Sequence, residues 1–229
     1  FMGTSVIAAF GGLLLVFTVK DGPYRADSKG LKLDYKIIFK LFKNKNFKKA
    51  AFGYFGHMWE LYTFWAFIPV MLGYYLKTHS EINLSIPLWS FIIIGIGGIS
   101  CTIGGYLSLQ KGSKWVSIIS LYGSGICCLL IPFSFTLPLF IFLSILLIWG
   151  FFVIPDSPQF SALVAMSSED SLVATGLTIV NSFGFALTII SIQSVSYFWT
   201  LTQSPFVFLI MAVGPIFGLL YIRKYRILI

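Results

Sequence analysis

Leu139–Phe140–Ile141–Phe142–Leu143–Ser144–Ile145–Leu146–Leu147–Ile148–Trp149–Gly150–Phe151–Phe152–Val153–Ile154 is a stretch of 16 residues with no charge and one hydroxyl. The largely apolar run around it covers 137–166, more than the roughly 20 helical residues that cross about 30 Å of hydrocarbon. Outward from it, 1–19, 50–76, 87–107, 115–133, 171–198 and 205–222 read the same way, which makes seven candidate spans. The runs are continuous rather than alternating with period two. Only helices or closed barrels satisfy the backbone in lipid, so helices are expected and a barrel is not. The separators agree: Asp21–Gly22–Pro23, His79–Ser80–Glu81–Ile82–Asn83, Gln110–Lys111–Gly112–Ser113–Lys114, the pair Pro132 and Pro138, Ser167–Ser168–Glu169–Asp170, and Thr200–Leu201–Thr202–Gln203–Ser204. Of the 229 residues, 57% are hydrophobic and 10% charged, against about 45–50% and about 25% in soluble domains. A soluble fold could not hide this much Phe, Ile and Leu, so lipid is the expected solvent.

The formal charge is +8, and ten of the sixteen Lys and Arg fall between Lys20 and Lys49. A nucleic-acid binder spreads its cations over a face to neutralise phosphates. One cluster beside a span instead points to membrane orientation or an anionic membrane surface, and no nucleic-acid partner is expected. Threading seven spans leaves fifteen cations on one side and Lys77 alone on the other. The positive-inside rule then puts the basic segment and the C-terminus in the cytoplasm and Phe1 outside. Aromatics near span ends, Tyr74, Tyr75, Trp89, Tyr197 and Trp199 outside and Tyr54, Tyr106, Trp115, Tyr221 and Tyr225 inside, read as interfacial belts. Three parts follow: a helix over 1–19, a basic segment over 20–49 and a six-helix bundle over 50–229. In the basic segment Lys29, Lys32, Lys36, Lys40 and Lys43 share one helical stripe, with Leu31, Ile38, Leu41 and Phe42 opposite. That pattern suits an interfacial helix on an anionic leaflet; a solvated linker is the alternative. Cys101, Cys127 and Cys128 lie in apolar stretches and read as small hydrophobes, with no zinc or disulfide framework. No basic stretch precedes the apolar start, so no cleavable signal peptide is expected.

One apolar helix, a long basic segment and six further helices ending in a basic tail resemble the second half of a major facilitator superfamily transporter, entered at its sixth helix. Gly105–Tyr106–Leu107–Ser108–Leu109–Gln110–Lys111–Gly112–Ser113–Lys114 is similar to the superfamily's G-x-L-a-D-r-x-G-r-r loop signature. Gly105, Leu107, Ser108, Gly112 and Lys114 fit, whereas Leu109 stands in place of the acid and Gln110 and Ser113 replace cations. Gly53–Tyr54–Phe55–Gly56–His57–Met58–Trp59–Glu60–Leu61–Tyr62, with Trp65 and Pro69, and Asp156–Ser157–Pro158–Gln159–Phe160–Ser161–Ala162–Leu163–Val164–Ala165 resemble strings in a bacterial branch grouped loosely with nitrate/nitrite and cyanate porters. The resemblance implies a bacterial inner-membrane secondary transporter that works by alternating access. It makes this chain helices six to twelve of twelve, with Phe1 in mid-helix and about five helices missing from the N-terminal side. Substrate in such transporters binds at the midplane between two halves, so the chain would carry half a site.

Charges inside lipid cost about 2.5–3.5 kcal/mol at a helix centre on insertion scales, so the few present single themselves out. His57 and Glu60 are three apart and share a face, near the middle of their run. They are expected to line the inter-half cavity, with Glu60 either a proton-coupling acid or the partner of a cation. The alternative is structural, with Glu60 accepting from His57 or from a neighbouring helix. In Pro155–Asp156–Ser157–Pro158–Gln159 the span is expected to kink, with Asp156 or Ser157 as an N-cap, or to break and restart with its positive end toward an anion. Gln159, Asn181 and Gln193 are further pathway candidates, and for Asn181 and Gln193 helix packing is the plainer role. Trp59, Tyr62 and Trp65 could stack on a ligand or face lipid. Gly95, Gly97, Gly98, Gly104, Gly105 and the pair Gly214 and Gly218 permit close helix approach.

Rival classes are poorer fits. His57 and Glu60 fall short of the His-Glu-x-x-His of a zinc protease, and Gly123–Ser124–Gly125 lacks an activating histidine. A channel wants rings of like charge, and a non-transporting sensor or scaffold remains the other alternative. No Gly-x-x-x-x-Gly-Lys-Ser/Thr loop occurs, so no nucleotide or other cofactor is expected. The partners expected are the bilayer, a small solute or ion, and the missing half.

Overall fold

The computed structural model describes residues 2–19 and 36–225, and it separates into two units, Phe1–Tyr35 and Lys36–Ile229. Phe1, the Asp21–Gly22–Pro23 separator, Lys29, Leu31 and Lys32 of the basic stripe, and residues 226–229 lie outside the described residues. The described residues of the first unit form α1 (Met2–Thr18), which carries no buried residue and ends with the Thr18 hydroxyl donating to Leu14 O at 2.7 Å.

The second unit is helical throughout its described residues: α2 (Lys36–Lys43), α3 (Lys45–Thr78), α4 (Ile86–Lys111), α5 (Ser113–Ser134), α6 (Leu139–Phe152), α7 (Asp156–Met166), α8 (Val173–Thr202) and α9 (Val213–Ile222). Short 3₁₀ stretches, Asp170–Leu172 and Pro205–Ala212, lead into α8 and α9. The described residues of all seven apolar runs are thus largely helical. Among the described residues, five stretches are long and apolar enough to cross a membrane: Ile86–Lys111, Ser113–Ser134, Leu139–Met166, Asp170–Thr202 and Pro205–Ile222. α1 is apolar but shorter, and α3, with 34 residues, is not among the five.

The distribution of burial explains that difference. α3 is the central helix, packed against α9, α8, α7 and α4. It is shielded from the surroundings and can carry polar groups that a peripheral helix could not. α4 and α8 are the reverse: only 17% and 22% of their most apolar windows are buried. Phe91 and Phe140 project outward at 74% and 70% exposure. An outer surface of this kind suits lipid and not water.

Two apolar clusters divide α3 along its length. One gathers Phe64, Ile68 and Met71 with Phe142, Leu146 and Phe208; the other gathers Phe47, Ala51 and Tyr54 with Phe160 and Val164. His57 and Glu60 sit at the junction. α3 and α9 meet backbone to backbone there. A Cβ on Gly56 would strike Gly214 O and would lie 2.7 Å from Gly218 N, so the Gly214 and Gly218 pair does what small residues do between membrane helices.

Three expectations change. The basic segment does not run to 49, because Asn44 caps a new helix. Its Oδ1 accepts from Asn46 N at 2.9 Å and Phe47 N at 3.2 Å, which makes Lys45, Lys48 and Lys49 part of α3. Of the lysine stripe, Lys40 and Lys43 are exposed in α2 while Leu41 is buried. Tyr54, Tyr75 and Tyr225 are core residues rather than belts: Tyr75 stacks on His79 and Phe142 at 4.2 and 4.3 Å and donates to Leu137 O at 2.7 Å. The long run 137–166 breaks and restarts, one of the two outcomes expected there: α6 stops at Phe152 and α7 starts at Asp156 after Pro155, which has no amide hydrogen to continue the ladder. Asp156 does not cap α7; its carboxylate turns to α3 instead.

Candidate functional site: buried ionisable groups around α3

His57 and Glu60 are each 1% exposed and share a face of α3, but they are not partners. Glu60, the sixteenth of the 34 residues of α3, is held by two other helices. Its Oε1 accepts from Trp149 Nε1 of α6 at 2.6 Å and from Cys128 Sγ of α5 at 3.1 Å, and its Oε2 accepts from Ser124 Oγ of α5 at 2.9 Å. Ser124 and Cys128 are four apart, so α5 offers both donors from one face. Trp149 is fully buried and packs on Phe64 with ring centroids 4.5 Å apart. Both carboxyl oxygens are therefore engaged, as burial demands.

His57 turns to α7. Its Nδ1 lies 2.9 Å from Oδ1 of Asp156, which is also 1% exposed. That is ion-pair distance without hydrogen-bond alignment: Asp156 Oδ1 has no aligned donor, and His57 Nε2 has no partner. The imidazole is flanked by Tyr54 and Phe160, with centroids 5.9 and 6.2 Å away. The pair thus keeps one unsatisfied acceptor and one unsatisfied ring nitrogen in a dry place, an arrangement that can accept a proton, a water or a polar ligand group. Among the described residues no group of three His, Cys, Asp or Glu side chains could hold a metal ion.

The other candidates scatter. Gln159 is buried on α7, one turn from Asp156. Trp59 is half-buried and donates from Nε1 to Ile210 O at 3.0 Å. Beside it, Ser191 of α8 donates to Trp59 O at 2.6 Å and pairs with Thr63 at 2.7 Å. Tyr62 and Trp65 form an aromatic group with centroids 5.2 Å apart, Tyr62 also meeting Phe185 at 5.5 Å. Asn181 is half-buried and Gln193 exposed on α8; among the described residues neither hydrogen-bonds to His57, Glu60 or Asp156. Gly105, Leu107 and Ser108 are half-buried at the end of α4. Gly112 joins α4 to α5 at φ 83°, a left-handed turn that favours glycine, and Lys114 donates to Tyr225 O at 2.7 Å. Ser108, Gly112, Lys114, Ser167 and Tyr225 border a cavity of about 610 Å³ at this end of the bundle.

Ser124, Cys128 and Trp149 are the partners that sequence reasoning passed over. Their signal was present: a hydroxyl and a thiol four apart in one span, and an indole N–H ten residues beyond Leu139, too deep to be a belt residue. No protein-family model matches the chain, and no curated protein matches it either.

Proposed function

We propose that the chain is part of a secondary transporter of small solutes, built like the C-terminal half of a major facilitator superfamily protein. In it, all seven apolar helices span a bacterial inner membrane with the C-terminus in the cytoplasm. The observation that carries this reading is the unsatisfied His57–Asp156 pair, buried among α3 and α7 at the junction of the two core clusters. Ionisable groups at such depth are costly and ordinarily serve an ion or substrate path. The resemblance in the 53–62 and 105–114 stretches and the fifteen-to-one division of cations support the same reading. The pair is assigned proton handling in the interior of this half, since both residues are buried within it and neither lies at a face that a second helix bundle would cover.

Glu60 has a second reading of its own, because three donors saturate it: it locks α5 and α6 to α3. Uptake into proteoliposomes separates the roles, with nitrate, nitrite and cyanate as the first probes. The full transporter is expected to concentrate a probe under an inward proton gradient and to lose that ability with a protonophore. Asp156→Asn should lower gradient-driven uptake at least tenfold while exchange without a gradient persists. Unchanged uptake and an unchanged pH profile in both Asp156→Asn and Glu60→Gln reject ion coupling. If no solute is ever concentrated, a sensor, scaffold or channel is the better description.

A further inference from the structure

We propose that the outer groove between α3, α8 and α9 holds one acyl chain of an anionic phospholipid, its phosphate resting at the cation-bearing ends of α3 and α9. The groove encloses about 430 Å³, within the range of small-molecule sites. Phe52, Phe55, Trp59, Phe183, Leu187 and Phe217 wall it, and Gly56 and Gly214 form a floor whose backbones touch. It is a slot for a hydrocarbon chain, with almost nothing to bond a polar solute.

In a bilayer the hydrophobic effect does not choose an occupant, since lipid tails are as apolar as the walls. Selection has to come from the ends. On α3, Lys48, Phe52, Phe55 and Trp59 follow one another at steps of four, three and four and so form one stripe. Lys48 Nζ stands 5.6 Å over the Phe52 ring. On α9, Gly214, Phe217 and Tyr221 form the matching stripe, followed past the helix end by exposed Arg223 and Lys224. The stripes meet where Phe52 contacts Phe217 at 5.8 Å and Tyr221 at 4.7 Å. Both walls therefore run from an apolar slot to cations at the same end. Tyr221 adds the amphipathic ring typical of headgroup depth. A tail in the slot and a negative headgroup at its mouth satisfy all of these features, and nothing here depends on transport.

The purified protein is exchanged into equimolar dioleoylphosphatidylglycerol and dioleoylphosphatidylcholine, and retained lipid is counted by native mass spectrometry. One phosphatidylglycerol per chain is expected, with about a thirtyfold or greater preference over phosphatidylcholine, the size that two or three surface cations provide. Lys48→Gln with Lys224→Gln, both at exposed positions, should bring that preference near one while the thermal midpoint holds. Val213→Trp, at a rim position 55% exposed, should fill the slot and abolish retention of either lipid. Bromination of the phosphatidylglycerol tails should quench part of the tryptophan fluorescence, and Trp59→Phe should lessen that quenching. Equal retention of the two headgroups overturns the proposal. So do undiminished retention by Val213→Trp and a dimer mass with no bound lipid, the last meaning that a second copy covers the groove.

Discussion

Trp149 contributes the shortest of the three hydrogen bonds around Glu60 and comes from a different helix than the other two. Replacing it by Phe keeps most of the ring packing against Phe64 but leaves Glu60 Oε1 with only a thiol donor. Trp149→Phe should cost about 1–2 kcal/mol in thermal or denaturant unfolding in detergent, while Ser124→Ala and Cys128→Ala should each cost about 0.6 kcal/mol, the average for a hydrogen bond between membrane helices. Equal, negligible losses in all three would remove the lock reading of Glu60. His57 and Asp156 differ because each retains an unsatisfied atom. They were legible as candidates from their charge in apolar runs. Their pairing was not, because they lie 99 positions apart and only the packing of α7 on α3 joins them.

The glycines of the helices, alike in sequence, separate into two kinds by their neighbours. Gly56 faces the backbone of α9, which cannot yield, whereas Gly95 and Gly98 on the outer face of α4 have nothing within 4 Å of where a methyl carbon would stand. Gly56→Val should therefore prevent recovery of folded protein, read as loss of the monodisperse peak in size-exclusion chromatography. Gly98→Ala should raise the thermal midpoint, reflecting a gain of up to about 0.8–1 kcal/mol in helix propensity. A destabilising Gly98→Ala would mean that another helix lies close to that face. The interruption between α6 and α7 belongs to this scale as well. Pro155 made a kink or a restart foreseeable, but the turning of Asp156 to His57 needed α3 as a neighbour.

Across the whole molecule, the outward faces of α4 and α8 set the environment the protein requires. Ile99, fourteenth of the 26 residues of α4, is 63% exposed. If that face meets hydrocarbon, Ile99→Arg should raise the apparent insertion free energy of this segment by about 3–4 kcal/mol in a translocon assay. No change would place the face in water or against protein. In the proposed orientation, Lys43→Cys should react with an impermeant maleimide only from the cytoplasmic side. Labelling from outside would invert the orientation inferred from the loop charges.

Composition and apolar run length determined by themselves that this chain is helical and suited to lipid, because every unpaired amide in hydrocarbon is penalised whatever the neighbours are. The lone charges in those runs were visible for the same reason. What only tertiary structure decided is which group meets which: His57 lies against Asp156 rather than Glu60, Glu60 accepts from an indole, a thiol and a hydroxyl, and Gly56 packs on Gly214. Those contacts depend on how the helices are placed side by side, a property of packed surfaces that periodicity along one chain does not contain.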